Sequence, residues 1–147
     1  MILRGESRPD LLLDESLYGI LSQTALNHPE KTAIVWRETA WSYARLHLQG
    51  TEAAGALSFL GSTPGRVVGL WLPRGPELLL AQVAITASGA AWLPLDAETP
   101  PERAVVCLGA AGAIGVVTTR EWGARLKALL PLDVWFLEDL LAPGAQR

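Results

Sequence analysis

The chain has 147 residues, 50% of them apolar and 18% charged, with a formal net charge of -3. This length suits one domain or part of one, and the apolar content excludes a disordered or solvating chain. Among the 12 basic residues no run stands out that could displace phosphate counterions, so nucleic acid is not expected as a partner.

The cellular compartment is predicted from cysteine use and from the apolar segments. Cys107 is the single cysteine, so the chain cannot form an internal disulfide or a cysteine metal site. The first ten residues lack the apolar stretch of a signal peptide, and residues 78–95 are interrupted by polar side chains, Gly89 and Pro94. We therefore expect a cytoplasmic protein without a membrane partner.

The first predicted elements are a helix and a hairpin. Ser16 is a good N-cap, and Asn27 with Pro29 ends the segment that follows it. The apolar residues of that segment repeat at helical spacing and are Leu17, Ile20, Leu21 and Ala25. Two short apolar runs, Thr32–Trp36 and residues 40–41, then flank a polar triplet, which indicates two strands joined by a tight turn.

A second, longer helix is predicted after Ser42, which can cap it. Its apolar stripe has steps of four and three residues and consists of Leu46, Gly50, Ala53, Leu57 and Leu60. Residues 61–65 contain two glycines and a proline, and they are expected to end this helix.

From residue 66 onward, strands alternate with helices. Residues 66–72 form an apolar run, Pro76 opens a helix that reaches Ser88, and Gly89 closes it. Residues 91–93 follow as a second candidate strand. This order is typical of a βα unit.

The same alternation continues to the end of the chain. The further predicted elements are a helix from residues 100–101 toward Gly109, a strand at residues 114–118, a helix that reaches Leu130 and stops at Pro131, and a strand at residues 133–137. Thr118 and Glu121 have the spacing of a capping box. Short apolar strands that alternate with helices predict an α/β fold, a mostly parallel sheet with helices on both faces.

A phosphate-binding loop is the first chemistry to seek in such a fold. Gly109, Gly112 and Gly115 form a cluster, but they connect a helix to a strand, whereas phosphate loops connect a strand to a helix. Their spacing also differs from that of a dinucleotide loop, so we interpret them as a turn and a place of close backbone packing. Neither lysine follows a glycine, which excludes a Walker loop.

Other reactive side chains lack the neighbours that catalysis needs. His28 lies in a helix-ending turn and His47 on the second helix, without an acid or histidine at metal-binding spacing, so both are interpreted as surface or packing residues. Cys107 is flanked by apolar residues and is assigned to the core. The six tryptophans lie mostly on or beside strands and are interpreted as packing rings: Trp36, Trp41, Trp71, Trp92, Trp122 and Trp135.

The most informative stretch covers residues 85–103. A helix ends at a glycine, a strand follows, and the chain leaves through Pro-Leu-Asp into a proline-initiated helix that carries Glu and Arg. This stretch resembles the second core motif of the adenylate-forming (AMP-binding) superfamily, most closely that of the amino-acid adenylation domains of nonribosomal peptide synthetases. The matching positions are Gly89, Ala91, Pro94, Leu95, Asp96, Pro100, Glu102 and Arg103.

The resemblance extends over residues 14–140. Residues 41–46 are similar to the family's first core motif, and residues 27–35 are similar to the segment before its first strands. Residues 67–78 are similar to the strand–helix unit that precedes its second core motif. In the first motif Arg45 replaces a glutamate, so Ser42 can still cap the helix but the reciprocal bond of a capping box is lost.

The resemblance implies that this chain is the N-terminal portion of the large subdomain of an adenylation domain. The expected limits are an extension at residues 1–13, the AMP-binding portion at residues 14–140, truncated before the phosphate loop, and a tail at residues 141–147. The family's phosphate loop, adenosine-binding motifs and catalytic lysine have no counterpart in this sequence. The two motifs present are scaffold motifs by resemblance, so no catalytic, cofactor-binding or metal-binding residue is assigned.

The parent reaction implied by the resemblance uses ATP and Mg²⁺ to join the carboxylate of an amino acid to AMP, and then transfers the acyl group to a phosphopantetheine thiol. We expect this chain alone to bind no cofactor and to be inactive. The implied partners are the remainder of the adenylation domain and a carrier-protein domain. Uncovered apolar side chains around Trp135 and Phe136 are expected to promote self-association.

Two alternatives stay open at this point. The first is a self-standing α/β interaction module without catalytic activity, which would seal both faces of its sheet. The second is a small complete enzyme, against which the lack of a nucleophile, a metal set or an acid–base pair argues.

Overall fold

The computed structural model describes residues 8–11, 15–126 and 132–145. A single turn of 3-10 helix at Pro9–Leu11 precedes the first α-helix. The remaining elements, in chain order, are α1 (Leu17–Asn27), β1 (Thr32–Trp36), β2 (Thr39–Ser42), α2 (Tyr43–Phe59), β3 (Val67–Trp71), α3 (Pro76–Ala87), β4 (Ala91–Leu95), α4 (Pro101–Ala110), β5 (Ala113–Thr118), α5 (Arg120–Leu126), β6 (Asp133–Phe136) and α6 (Leu137–Leu140).

The last four strands form a parallel sheet in the order β4-β3-β5-β6. Val67 of β3 pairs with Ala91 of β4 on one side and with Ala113 of β5 on the other. A helix follows each of β3, β4 and β5 and carries the chain back to the start of the next strand, as parallel pairing requires. The predicted α/β fold with a mostly parallel sheet is confirmed.

Two apolar clusters cover the two faces of this sheet. On one face, Leu57 of α2 and Leu80 of α3 pack with Val68 of β3. On the other face, Leu108 of α4 packs with Trp71 of the same strand. Because successive residues of a strand point to opposite faces, β3 supplies both clusters and is buried between two helical layers.

β1 and β2 form a separate two-stranded antiparallel sheet, which confirms the predicted hairpin. The turn between them uses Arg37 at a φ of 53°. Ile34 and Trp41 pair across the hairpin and are buried in the same cluster as α2 and α3. Val35 and Trp36 are exposed. The hairpin therefore packs on the core through Ile34 and Trp41, whereas Val35 and Trp36 face the solvent.

Two glycines allow close packing against the central strands. A Cβ on Gly69 of β3 would collide with Cδ2 of Leu108, and a Cβ on Gly115 of β5 would lie 2.7 Å from Cζ2 of Trp135. Interiors are close-packed, so neither position has room for a larger side chain. The interpretation of Gly115 as a place of close backbone packing agrees with this geometry.

The predicted N-caps of α1 and α2 are confirmed. Ser16 Oγ accepts a 3.0 Å hydrogen bond from the backbone N–H of Gly19, and Ser42 Oγ accepts one of 3.2 Å from that of Arg45. The Arg45 guanidinium also lies 4.1 Å from the ring centre of Trp41, which is a cation–π contact. The arginine that removes the reciprocal capping bond therefore supplies a different contact at the same helix start.

The start of α5 differs from the prediction. β5 continues through Thr118, which pairs with the last residue of β6, so Thr118 is buried in the sheet. Thr119 is the residue before the helix, and its Oγ1 accepts a 3.4 Å bond from the N–H of Trp122. The predicted capping box of Thr118 and Glu121 is wrong by one residue, because pairing in the sheet extends the strand.

Two predictions about exposure are also corrected. Leu60, predicted to lie in the apolar stripe of α2, is 45% exposed because it follows the last turn of that helix. Trp135, predicted to be uncovered, is buried in the core, and Phe136 is half-buried with the Arg120 guanidinium near its ring. The predicted helix end and stop at residues 130–131 lie outside the described residues.

Candidate functional site

The sheet topology places a crevice between β3 and β5. The helix after β3, α3, packs on one face of the sheet, and the helix after β5, α5, packs on the other. Neighbouring parallel strands whose helices separate in this way leave a crevice beyond their carboxyl ends, which is where α/β proteins bind ligands. The candidate site is therefore the space beyond Trp71 and Thr118.

A cleft of about 380 Å³ occupies this position. It is lined by Pro73, Glu77, Thr119, Glu121, Trp122, Leu137, Glu138 and Leu141. Among the described residues that line it, three are carboxylates and none is a lysine or arginine, so the cleft is acidic. Trp122 meets Trp71 edge to face with ring centres 5.3 Å apart, which fixes α5 against the end of β3.

Arg120, the first residue of α5, is already engaged by the segment around α6. Its backbone N–H donates a 3.1 Å hydrogen bond to Glu138 Oε1, and its guanidinium pairs with the carboxylate of Asp139. The guanidinium also lies 5.2 Å from the ring centre of Phe136. These contacts join the start of α5 to α6, and they engage the Arg120 guanidinium with a carboxylate and an aromatic ring.

ATP and Mg²⁺, which the family resemblance implies, do not fit this cleft. A triphosphate needs Lys, Arg or clustered backbone N–H groups around it, whereas carboxylates line this space. Within residues 8–11, 15–126 and 132–145, no group of three or more His, Cys, Asp and Glu side chains is arranged to hold a metal ion. The side chains that line this cleft therefore do not fit a triphosphate.

The second core motif folds into β4 and the turn that follows it. Asp96 is the first residue past β4, and its Oδ1 accepts a 2.9 Å hydrogen bond from the N–H of Glu98. The backbone carbonyl of Asp96 accepts two further bonds of 2.9 Å, from Nε1 of Trp71 and from the N–H of Thr99. Both its carboxylate and its carbonyl therefore build the turn.

A second cleft lies where this turn meets the end of β3. It has a volume of about 340 Å³ and is lined by Leu72, Arg74, Leu78, Gln82, Pro94, Leu95, Asp96 and Ala97. Glu102 and Arg103, from the same motif, are exposed on the first turn of α4 and do not line it. The structure thus separates the polar residues of the motif and does not gather them around one ligand.

Gly89 ends α3 as predicted. Its φ is 85°, and a Cβ at this position would lie 2.8 Å from Cγ of Pro64. The hydroxyl of the preceding Ser88 lies 2.6 Å from that of Ser62, which is fully buried. The glycine of the motif therefore lets the end of α3 pack on the turn after α2.

The remaining sequence candidates do not line the cleft beyond β3 and β5. Gly109 lies in the last turn of α4 and Gly112 in the turn that leads to β5, and the N–H of Gly112 donates a 3.1 Å bond to the carbonyl of Gly109. His28 follows α1, and its N–H donates a 2.8 Å bond to the carbonyl of Thr24. Cys107 is half-buried and packs against the cluster under α4.

A polar cluster between α1 and α2 is a feature that the sequence analysis missed. It consists of Tyr18 and Ser22 of α1 with His47 and Thr51 of α2, and we call it the Tyr18–His47 cluster. Tyr18 Oη lies 2.8 Å from Thr51 Oγ1 and 3.3 Å from His47 Nε2, which is 3.1 Å from Ser22 Oγ. The two rings stack with centres 5.7 Å apart. The spacing of four residues in the sequence places Tyr18 and Ser22 on one face of α1, and His47 and Thr51 on one face of α2. It does not show that these two faces pack against each other.

Beside this cluster is an apolar cavity of about 260 Å³, which we call the α1 cavity. It is lined by Leu17, Tyr18, Leu21, Ala33, Ile34, Tyr43, Leu46, Leu79, Gln82, Val83, Thr86 and Trp92. These residues come from α1, β1, α2, α3 and β4, and Tyr18 belongs to both the cluster and the cavity wall.

The ion pair of Arg8 and Asp10 lies outside these sites. Arg8 Nη2 is 2.7 Å from Asp10 Oδ2, and this hydrogen-bonded contact lowers the pKa of Asp10 and raises that of Arg8. Both residues are exposed and precede α1.

Across the part of the chain that the structure describes, no helix combines the length and apolar character needed to cross a membrane.

The chain matches one protein family and is similar over most of its length to several synthetases. The family model described as AMP-binding enzyme matches residues 21–137. Delta-poly-L-ornithine synthetase from Acinetobacter baumannii (strain AB307-0294) is 45% identical over 142 residues, which cover 97% of this chain and 11% of that protein. Tyrocidine synthase 3 from Brevibacillus parabrevis is 28% identical over 138 residues, 94% of this chain and 2% of that protein. The chain thus spans a small part of these relatives.

A solved structure has the same fold. The crystal structure of the nonribosomal peptide synthetase FmoA3 matches with a TM-score of 0.77 and 29% identity, and the match covers 83% of this chain and 13% of that one. The family model covers well over half of the sequence. The chain therefore belongs to the AMP-binding enzyme family, as part of an adenylate-forming domain like those of nonribosomal peptide synthetases.

Proposed function

We propose that this chain is the N-terminal part of the large subdomain of an amino-acid adenylation domain. The parent domain would form an aminoacyl adenylate from ATP and an amino acid, with loss of pyrophosphate, and would then transfer the aminoacyl group to a phosphopantetheine thiol. Similarity over 97% of the chain to a poly-L-ornithine synthetase and over 94% to a tyrocidine synthase supports this proposal.

The observation that carries the proposal is the way the second core motif is built into the sheet. Gly89 ends α3 at a left-handed backbone, β4 pairs along its length with β3, and the carbonyl of Asp96 accepts the hydrogen bond of Trp71. All of these interactions are internal to the chain. Its proposed role is therefore to form a rigid α/β layer, next to which other segments of the parent domain hold the nucleotide.

ATP and Mg²⁺ are proposed as cofactors of the parent domain, bound by groups outside this chain. Glu77, Glu121 and Glu138 line the cleft beyond the central strands and oppose the approach of phosphate groups. We accordingly propose that the chain alone neither binds ATP nor activates an amino acid.

The proposed partners are the remainder of the adenylation domain and a carrier-protein domain. Large apolar side chains that are more than half exposed support such contacts, and they are Leu17, Leu26, Val35, Leu48, Phe59 and Val106. Isolated chains would use some of the same surface to associate with each other.

We also propose a cytoplasmic location, because a chain with a single cysteine forms no internal disulfide and needs no oxidising compartment.

A segment exchange tests this proposal. In Delta-poly-L-ornithine synthetase, the segment aligned with residues 14–140 would be replaced by those residues, and pyrophosphate exchange that depends on L-ornithine would be measured. We expect the exchanged protein to retain measurable activity. The isolated chain is expected to show no exchange, and to show no ATP binding at millimolar concentration by calorimetry.

A pair of variants separates the scaffold role from direct chemistry. In the exchanged protein, Gly89→Val is expected to abolish activity together with folding, whereas Arg103→Ala should leave both intact. If the isolated chain binds ATP and loses that binding on Asp96→Ala or Arg103→Ala, the scaffold role is wrong. A well-folded exchanged protein without activity would instead favour a non-catalytic interaction module.

A further inference from the structure

α1 is attached to the rest of the chain with little apolar burial. Ala25 is the one buried residue of this helix, and Leu17 and Leu26 are 70% and 74% exposed. α2 and α3, in contrast, each bury several apolar residues in the core. Elements with few buried apolar contacts open at a lower free energy than the core to which they attach.

The Tyr18–His47 cluster supplies an attachment through a closed circuit of hydrogen bonds. Thr51 has one hydroxyl proton and donates it to the backbone carbonyl of His47 at 2.8 Å. In the 2.8 Å contact between Thr51 and Tyr18, the tyrosine is therefore the donor. The hydroxyl oxygen of Tyr18 can then act only as an acceptor toward His47. The Nε2–H of His47 therefore donates both to Tyr18 Oη and to Ser22 Oγ.

This circuit begins and ends on His47 and crosses between the two helices at Tyr18. The network assigns the histidine proton to Nε2, and the stacking of the two rings holds them parallel within 15°. The hydroxyl of Tyr18 is both a donor and an acceptor in this attachment. Its removal breaks the circuit at two points.

We propose that α1 is a strap that opens and closes over the α1 cavity, with the Tyr18–His47 cluster as its clasp. Leu17, Tyr18 and Leu21 form the strap's wall of the cavity, while the other walls belong to elements anchored in the core. When α1 lifts, the half-buried side chains of Tyr43 and Trp92 become more exposed and the parallel sheet stays folded. The clasp determines how often this opening occurs.

Hydrogen exchange of the full chain tests the strap. Tyr18→Phe keeps the ring and removes the hydroxyl, and Tyr43→Phe is a matched control because Tyr43 is the other tyrosine of the chain and lines the same cavity. We expect Tyr18→Phe to speed amide exchange in α1 about tenfold, with less than about a twofold change in β5. Thr51→Val removes the acceptor of Tyr18 at similar volume and should act in the same way.

Binding of the apolar dye anilinonaphthalene sulfonate gives a second readout. Dye fluorescence should rise in Tyr18→Phe and stay at the wild-type level in Tyr43→Phe. Equal acceleration of exchange in α1 and β5 would overturn the proposal, because α1 would then open only when the whole chain unfolds. Unchanged exchange of α1 in both Tyr18→Phe and Thr51→Val would show that the cluster is not a clasp.

Discussion

The indole Nε1 of Trp71 donates a 2.9 Å hydrogen bond to the backbone carbonyl of Asp96, 25 positions further along the chain. This bond joins the end of β3 to the turn after β4, and the Trp71 side chain that makes it is 1% exposed. The second core motif is therefore positioned from inside the core, by a ring that also packs against Trp122 of α5.

Replacing Trp71 tests how much this bond contributes. Trp71→Phe removes the donor and part of the buried ring, so we expect the free energy of unfolding to fall by about 2–3 kcal/mol. Urea denaturation measures the change. Trp92→Phe is the control, because Trp92 is half-buried beside the α1 cavity, and it should cost less than about 1.5 kcal/mol. Equal losses for both variants would show that the bond has no measurable effect.

Gly89→Ala and Gly61→Ala form a matched pair of backbone variants. Both glycines follow a helix end, with φ of 85° and 94°, but a Cβ would lie 2.8 Å from Pro64 at Gly89 and within 4 Å of no described atom at Gly61. The left-handed backbone costs an alanine about 1–2 kcal/mol at either position, and the contact with Pro64 adds about 1–3 kcal/mol. Thermal melting should therefore rank Gly89→Ala below Gly61→Ala. Identical melting would mean that Pro64 moves aside without cost.

A double-mutant cycle at Gly69 and Leu108 measures the contact between β3 and α4. Gly69→Ala should destabilise the chain by about 1–3 kcal/mol, because the new Cβ meets Cδ2 of Leu108. Leu108→Ala alone should cost about 2–5 kcal/mol by leaving a cavity. In the double variant the added methyl enters that cavity, so we expect a favourable coupling of at least about 0.5 kcal/mol. Strict additivity of the two losses would contradict this packing.

Self-association is expected to depend on the open edge of the hairpin. Val35 of β1 is 72% exposed beside Trp36, and in the described residues β1 pairs with β2 alone. A lysine on such an edge opposes pairing with another strand, so Val35→Lys should lower the average mass in light scattering across a tenfold concentration range. Leu48→Lys changes a residue of α2 that is 59% exposed and serves as the control. If Leu48→Lys has the larger effect, association uses the helical face.

Most elements could be predicted because the sequence marks their ends locally. Ser42 caps α2, Pro76 opens α3 and Gly89 ends it, and short apolar runs mark the strands between them. The order of the strands could not be obtained in this way. β3 lies between β4 and β5 because of the way the helices pack on its two faces. α4 can pack on β3 because Gly69 has no side chain to collide with Leu108.

Local sequence patterns could not decide which of two adjacent threonines caps α5, and they could not predict which side chains line the cleft. Thr118 and Thr119 are chemically alike, and the spacing to Glu121 favoured the wrong one, because the deciding fact is the pairing of Thr118 with β6. The acidic lining of the cleft combines Glu77, Glu121 and Glu138 from three helices. Their spacing in the chain gives no sign that they share one space.

The central position of β3 also affects how the sheet assembles during synthesis. Val67 pairs with Ala91, 24 positions further along, and with Ala113, 46 positions further. Once β4 has left the ribosome it can pair with β3, whereas the opposite edge of β3 waits for β5 to emerge. During that interval the nascent chain presents the apolar residues of Val67–Trp71 on an open strand edge. An open apolar strand edge of this kind is a binding site for a chaperone that recognises extended apolar strands.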